Sequence, residues 1–241
     1  MKYGWVRDLP DQRDKPFLTT LTGVLPKSVN LISDCPTIYN QGQLGSCTAN
    51  AISAHLDFNR HKQGEKFIYP SRLFIYYNER LADGDVDSDG GSSIRESAKT
   101  VAQQGACPEG EWPYDISKFT DKPSIGCYSN AVQYEALTYM SLIQEELNMK
   151  SCLAEGFPFV CGVSVYESFE AATDGNVPMP KDSEQLMGGH AILIVGYTPT
   201  SWVFRNSWGT AWGQDGYGTL PLAYLLNPNL SDDRWTLRIV K

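Results

Sequence analysis

The chain has 241 residues, 41% of them hydrophobic and 20% charged, a balance that suits one large buried core or two small ones and excludes a disordered chain. A formal net charge of -8, with no basic cluster to neutralise phosphates, argues against nucleic acid and anionic membrane surfaces as partners. No stretch approaches the roughly 20 apolar residues of a membrane span, and no basic start with an apolar run precedes Gly23, so the expectation is a cytoplasmic protein or one exported without a leader.

Residues 1–25 are polar and turn-rich, with Trp5, Pro10, Pro16 and the charged run DQRDK, and read as an extended arm. The segment QGQLGSCTAN at 41–50 then sets two glycines and Cys47 immediately before small helix-compatible residues. Cys47 is predicted to open a helix that carries Ala49, Ala51, Ile52, Ala54 and Phe58, side chains that permit close packing all round. The unpaired N–H groups and dipole of a helix N-terminus favour a thiolate, so Cys47 is expected to be more acidic than a free cysteine. Helical spacing recurs over 71–81 and over 93–104, the latter stopping at Gly105. After about residue 130 the apolar pattern shifts to strands: FPFVCGVSV, AILIVGY, SWVFRN and WTLRIV.

A reactive cysteine needs a base, and the chain has three histidines. His55 follows Cys47 on the same predicted helix, roughly 12 Å away along its axis, beyond hydrogen-bond reach. His61 lies farther along, before the helix stop at Gly64, and both read as structural or surface histidines. His190 remains, 143 residues after Cys47, opening the apolar run 191–195 that Gly196 closes, which reads as a buried strand with a histidine at its mouth. Sixteen residues on comes FRNSWGTAWGQDGYG, with Asn206.

These motifs, in this order, resemble those of the papain-like cysteine peptidases, whose nucleophile lies in a segment close to QGxCGSCW and is partnered by a His and an Asn far downstream. Gln41, Gly42, Gly45, Ser46 and Cys47 match, while Leu44 and Thr48 depart; Asn206, Ser207, Trp208 and Gly209, with Trp212, Gly213, Gly216 and Tyr217, match the second signature. The resemblance runs from near Leu25 to the C-terminus. It implies an α+β fold of two subdomains, mainly helical over about 26–130 and a sheet-rich, antiparallel barrel-like one over about 131–241, with the cleft between them. Cys47 and His190 would line opposite walls. Residues 1–25 would be an N-terminal extension, either a short propeptide or a docking arm, with Tyr3 and Trp5 anchoring it to the body or threading it near the cleft.

By the same resemblance, Cys47 attacks a carbonyl carbon, His190 serves as acid and base, and Asn206 orients the imidazole. Gln41 and the Cys47 N–H would hold the oxyanion, and Trp208 would cover the Asn206–His190 hydrogen bond beside the substrate site. Gly90 and Gly91 match the pair whose backbone aligns substrate, and Gly188 and Gly189 would line a roomy, uncharged pocket suited to an apolar or aromatic side chain. Residues 85–96 also fit the DxDxDGx5E calcium-loop pattern, but Ser92 stands where an aliphatic is usual and no second copy exists, so an acidic turn beside the substrate edge is the preferred reading. No metal or cofactor is assigned.

Of the six cysteines none forms a CxxC pair, and the two positions that the family commonly bridges are Leu44 and Ser88; Cys35, Cys107 and Cys127 could still pair. The expected activity is hydrolysis of peptide bonds in peptide or protein substrates through a thioester on Cys47, by a monomeric endopeptidase. Acyl transfer to an amine by the same site, or a non-catalytic peptide-binding homologue, are the alternatives.

Overall fold

The computed structural model describes residues 2–136 and 138–238. Along the chain lie β1 (Val29–Asn30), α1 (Cys47–Lys62), α2 (Arg72–Asp83), α3 (Ile94–Gln103), α4 (Ile125–Ala131), β2 (Tyr139–Ser141), α5 (Glu146–Ala154), β3 (Phe159–Tyr166), α6 (Glu167–Ala171), β4 (Leu186–Tyr197), β5 (Ser201–Arg205), β6 (Tyr217–Pro221), α7 (Leu222–Leu226) and β7 (Ser231–Leu237). Helices therefore dominate the first half and strands the second, as the change of periodicity predicts. The expected last strand over 235–240 is β7, which starts earlier; residues 239 and 240 lie outside the described residues.

The predicted central helix is α1, buried on every side from Cys47 to Arg60. Small side chains let it pack across β4 while α2 and α3 close over it. Ser71 and Ser93 cap α2 and α3 by accepting the amides of Phe74 and Glu96, and Gly105 turns the chain away from α3 at φ +71°. At the far end of α1, His55 Nε2 accepts the Leu237 N–H (3.4 Å) and Asn59 donates to the Leu237 carbonyl (2.9 Å), tying the helix to the sheet.

The sheet is antiparallel throughout, in the order β2-β7-β3-β4-β5-β6, with β1 added on β4. One expectation is corrected. His190 is not at the mouth of its strand but its fifth residue, because β4 begins at Leu186 and Gly188 and Gly189 pair with Val165 and Ser164 of β3. Glycine carries no strand propensity, so the sequence pattern starts the strand too late.

The N-terminal arm runs extended over both halves. Trp5 pairs with Ser92, Pro16 with Ser141, and Phe17 is 3% exposed beneath the Arg238 guanidinium.

Candidate active site

Cys47 is the first residue of α1, and β4 carries His190 past it. The backbone N–H of Ala191, next to His190, reaches the Cys47 sulfur. His190 Nε2 lies 2.8 Å from Asn206 Oδ1, which also accepts the Ser207 N–H (2.8 Å), so the amide oxygen faces the ring and Nε2 carries its hydrogen. That leaves Nδ1 of the neutral ring as an acceptor, and it has no protein partner. Trp208 stacks on the imidazole at 4.9 Å between centroids and 26° between planes, itself packed on Trp212 and Phe169, so water has no path to the Asn206–His190 bond from that side.

Gln41 reaches the site because residues 39–41 pair with 207–209: Gln41 N–H donates to the Ser207 carbonyl (2.9 Å) and Gly209 N–H to the Tyr39 carbonyl (3.0 Å). Arg205, buried, holds the preceding turn by donating to the carbonyls of Pro36 and Thr37. The Gln41 side chain accepts the Ser207 hydroxyl at Oε1 (2.7 Å), which leaves its Nε2 pointing at carbonyl oxygens. Ser207 lay inside a recognised motif, but only this contact gives it a part in aiming Gln41.

The arm fills the space between these groups. Gln41 Nε2 donates to the Lys2 carbonyl (3.1 Å), the Gly4 N–H reaches the Cys47 sulfur, and Tyr3 stands edge-on to His190 with its hydroxyl donating to Glu170. Trp5 N–H donates to the Gly189 carbonyl (3.1 Å) on one side, while Ser92 accepts from Val6 and donates to Gly4 on the other. The arm is thus an extra strand between the two predicted glycine pairs. At Gly91, with φ +77°, a Cβ would stand 2.0 Å from the Gly4 carbonyl oxygen, so the close approach needs the bare backbone.

Of the two glycines expected to line a pocket, Gly189 lies against the Trp5 indole, which also covers Gly162, where a Cβ would come within 2.1 Å of the ring, while Gly188 lies against the Tyr3 side chain. The space that the indole fills is not uncharged. Asp233 accepts the indole N–H at 2.8 Å and the Asp8 N–H at 2.8 Å, and burial with Asp8 nearby raises its carboxyl to about 7. The sequence pattern did not reach Asp233 because it belongs to β7, far from the motifs.

Burial under the arm also overturns the expected acidity of Cys47. The thiol is raised to about 11, desolvation outweighing the N–H groups of Ala191, Gly4 and Thr48, and His190 is lowered to about 4 by the same cause. In this closed state both groups are neutral. His55 and His61 take the structural and surface places expected of them, the first in the core and the second stacked on Phe67.

The acidic turn is put to use by the protein itself. Asp89 accepts the Gly45 N–H (3.0 Å) and the Tyr76 hydroxyl and pairs with Lys2 of the arm, while Glu96 pairs with Lys99. Residues 85–96 do not gather ligands around one point; among the described residues the group that does is Cys107, Glu111 and Cys127. All six cysteines are free thiols.

The family model described as papain family cysteine protease matches residues 25–223. Xylellain, a cysteine protease from Xylella fastidiosa with a solved structure, is 39% identical, and the match covers 99% of this chain and 96% of that one with a TM-score of 0.93. An uncharacterized peptidase C1-like protein of Acanthamoeba polyphaga mimivirus is 36% identical over 99% of this chain and 87% of its own length. Cysteine proteinase 3 of Entamoeba histolytica is 27% identical over 80% of this chain, which spans 61% of that longer protein. By the family model, by these relatives and by its mixed helical and antiparallel-sheet architecture, the chain belongs to the papain family of cysteine proteases.

Proposed function

We propose that this protein is an endopeptidase that cleaves through a thioester on Cys47 and is held closed by its own N-terminal arm. The observation that carries the reading is the disposition around His190: Nε2 bound to Asn206, the ring faced by Trp208, and Nδ1 free to take a proton on a ring that neighbours the thiol through Ala191. With the arm withdrawn, water reaches Cys47 and His190, desolvation relaxes, and the helix N-terminus is left to favour the thiolate with an imidazolium beside it. Attack then places the substrate carbonyl oxygen where the Lys2 carbonyl now meets Gln41, so Gln41 Nε2 and the Cys47 N–H share the developing charge. His190 passes its proton to the leaving amine, and water completes hydrolysis of the acyl-enzyme. The Trp5 pocket supports a preference for a large aromatic side chain, with Asp233 adding affinity for one that donates a hydrogen bond.

The test is deletion of residues 2–8, which empties the cleft and leaves Phe17 in the core. An epoxide thiol reagent should label the shortened protein at near-neutral pH, the full chain far more slowly, and a Cys47→Ala variant not at all, with internal cleavage of peptides following the same order. Equal labelling of the full and shortened chains would remove the arm from the reading. No labelling of the shortened chain would remove the peptidase. Product analysis with an added amine separates hydrolysis from transfer.

A further inference from the structure

Away from the cleft, two cysteines that the proposed chemistry does not use lie together. Cys107 sits in the turn after α3 and Cys127 on α4; they are 0% and 2% exposed, and the Cys127 thiol donates to the Glu111 backbone carbonyl (3.7 Å). The carboxylate of Glu111 joins them, all three ligand atoms lying within 4.8 Å of one another, and Glu111 is exposed, so the cluster has one open side. Its surroundings are ordered around these groups. Asn130 donates to Glu111 Oε1 (2.7 Å), and the Ser124 hydroxyl donates to the Cys127 sulfur (3.2 Å). Oriented partners of this kind are what metal-binding side chains have in their surroundings.

We propose that Cys107, Cys127 and Glu111 bind a zinc ion, with a water in the fourth position. Two thiolates and one carboxylate form a donor set for a soft, tetrahedral dication and not for calcium or magnesium, whose ligands are oxygens. Binding releases the two thiol protons to solvent and needs no electron transfer. The ion would clamp the two ends of the segment 112–126, which holds the single turn Ile116–Lys118 and the first two residues of α4. That segment backs the cleft, because the Tyr114 hydroxyl donates to the Gln41 carbonyl (3.0 Å) and Ser71 donates to the Trp112 carbonyl (2.6 Å). The site is separate from Cys47 and independent of the reading given to it.

The experiment uses the full chain carrying Cys47→Ala, purified reduced and free of metal, so that the cleft thiol cannot compete. Zinc should bind at one ion per chain, cobalt should give a thiolate-to-metal absorption band at the same stoichiometry, and zinc should raise the melting temperature. Cys107→Ser and Cys127→Ser should abolish the cobalt band. Glu111→Gln keeps both thiols and the packing, and should weaken zinc by at least about tenfold, which keeps the proposal testable where a serine variant does not fold. Absence of a cobalt band, binding indifferent to all three substitutions, or a Cys107–Cys127 disulfide whose reduction restores no zinc binding would each overturn it.

Discussion

Gly4 is the arm residue with the least room to change. A Cβ there would stand 1.7 Å from the Gly45 carbonyl oxygen, a backbone atom in the loop that leads into α1 and that Asp89 holds through the Gly45 N–H. Neither side can give without breaking that loop, so Gly4→Ala should unseat residues 2–6 and leave the rest of the fold intact. The expected result is that the full-length variant is labelled at Cys47 within a few-fold of the rate of the chain lacking residues 2–8; labelling as slow as in the parent would mean that the arm tolerates the methyl group. Ser207 tests the other face of the site. Its hydroxyl holds Gln41 Oε1, and without it the amide is free to rotate its donors away from the oxyanion position. In the shortened chain Ser207→Ala should lower kcat by roughly tenfold with KM little changed, a smaller loss than the about 10² to 10³ expected of removing an oxyanion donor itself. An equal loss in KM would point to substrate binding instead.

Among the elements, α1, α2 and α3 meet at one buried carboxylate. Glu79 on α2 is 0% exposed and accepts the hydroxyls of Thr48 on α1 (2.7 Å) and Ser97 on α3; burial raises it to about 8. A folded-state value above the unfolded one means that the folded protein holds this proton more tightly, so the contribution to stability is full below about pH 4.5 and is lost as pH rises through about 8. Glu79→Gln has nothing to lose over that window. The unfolding free energy of the variant relative to the parent should therefore climb from pH 5 to pH 8.5, by at most about 1.4 kcal/mol per pH unit, and the melting temperature with it; parallel pH profiles would show that Glu79 titrates normally. This buried group also marks what the sequence could convey. The three helices, the strands after residue 130, and Gln41, Cys47, His190 and Asn206 were legible because each is written locally, in spacing or in a contiguous motif. Glu79, Asp233 and Glu170 were not, since an acidic residue on a helix or strand is by default a solvated one and only tertiary packing makes it otherwise. The acidity of Cys47 departs from the sequence expectation for the same reason: the helix N-terminus is local, while the arm that buries it is a separate segment that only tertiary packing brings over the thiol.

For the molecule as a whole, the arm couples to pH chiefly through His190 and Asp233, which act in opposite directions. His190 is held at about 4 in the closed state, so closure releases a proton in the window up to the ordinary value of 6.5, and acid opens the cleft. Asp233 is held at about 7 by burial and by the Asp8 carboxylate beside it, which outweigh the N–H groups that Asp8 and Trp5 offer it, so closure takes up a proton between its ordinary 3.8 and about 7, and acid shuts the cleft. The windows overlap and the shifts are of comparable size, which leaves the seating of the arm nearly indifferent to pH between about 4.5 and 6.5. Asp233→Asn removes the uptake while keeping an amide oxygen for the two N–H groups that now share Asp233 Oδ2. The release at His190 is then opposed only by the uptake at Asp8, whose carboxyl burial also raises. The measurement is the Cys47 labelling rate of the full chain divided by that of the chain lacking residues 2–8, each carrying Asp233→Asn, so that the pH dependence of the thiol chemistry divides out. From pH 7 to pH 5 this ratio should rise by about tenfold or more in the variant and stay flat in the parent. A flat ratio in both would mean that burial of His190 owes nothing to the arm, and a rising ratio in the parent would mean that Asp233 does not hold its proton.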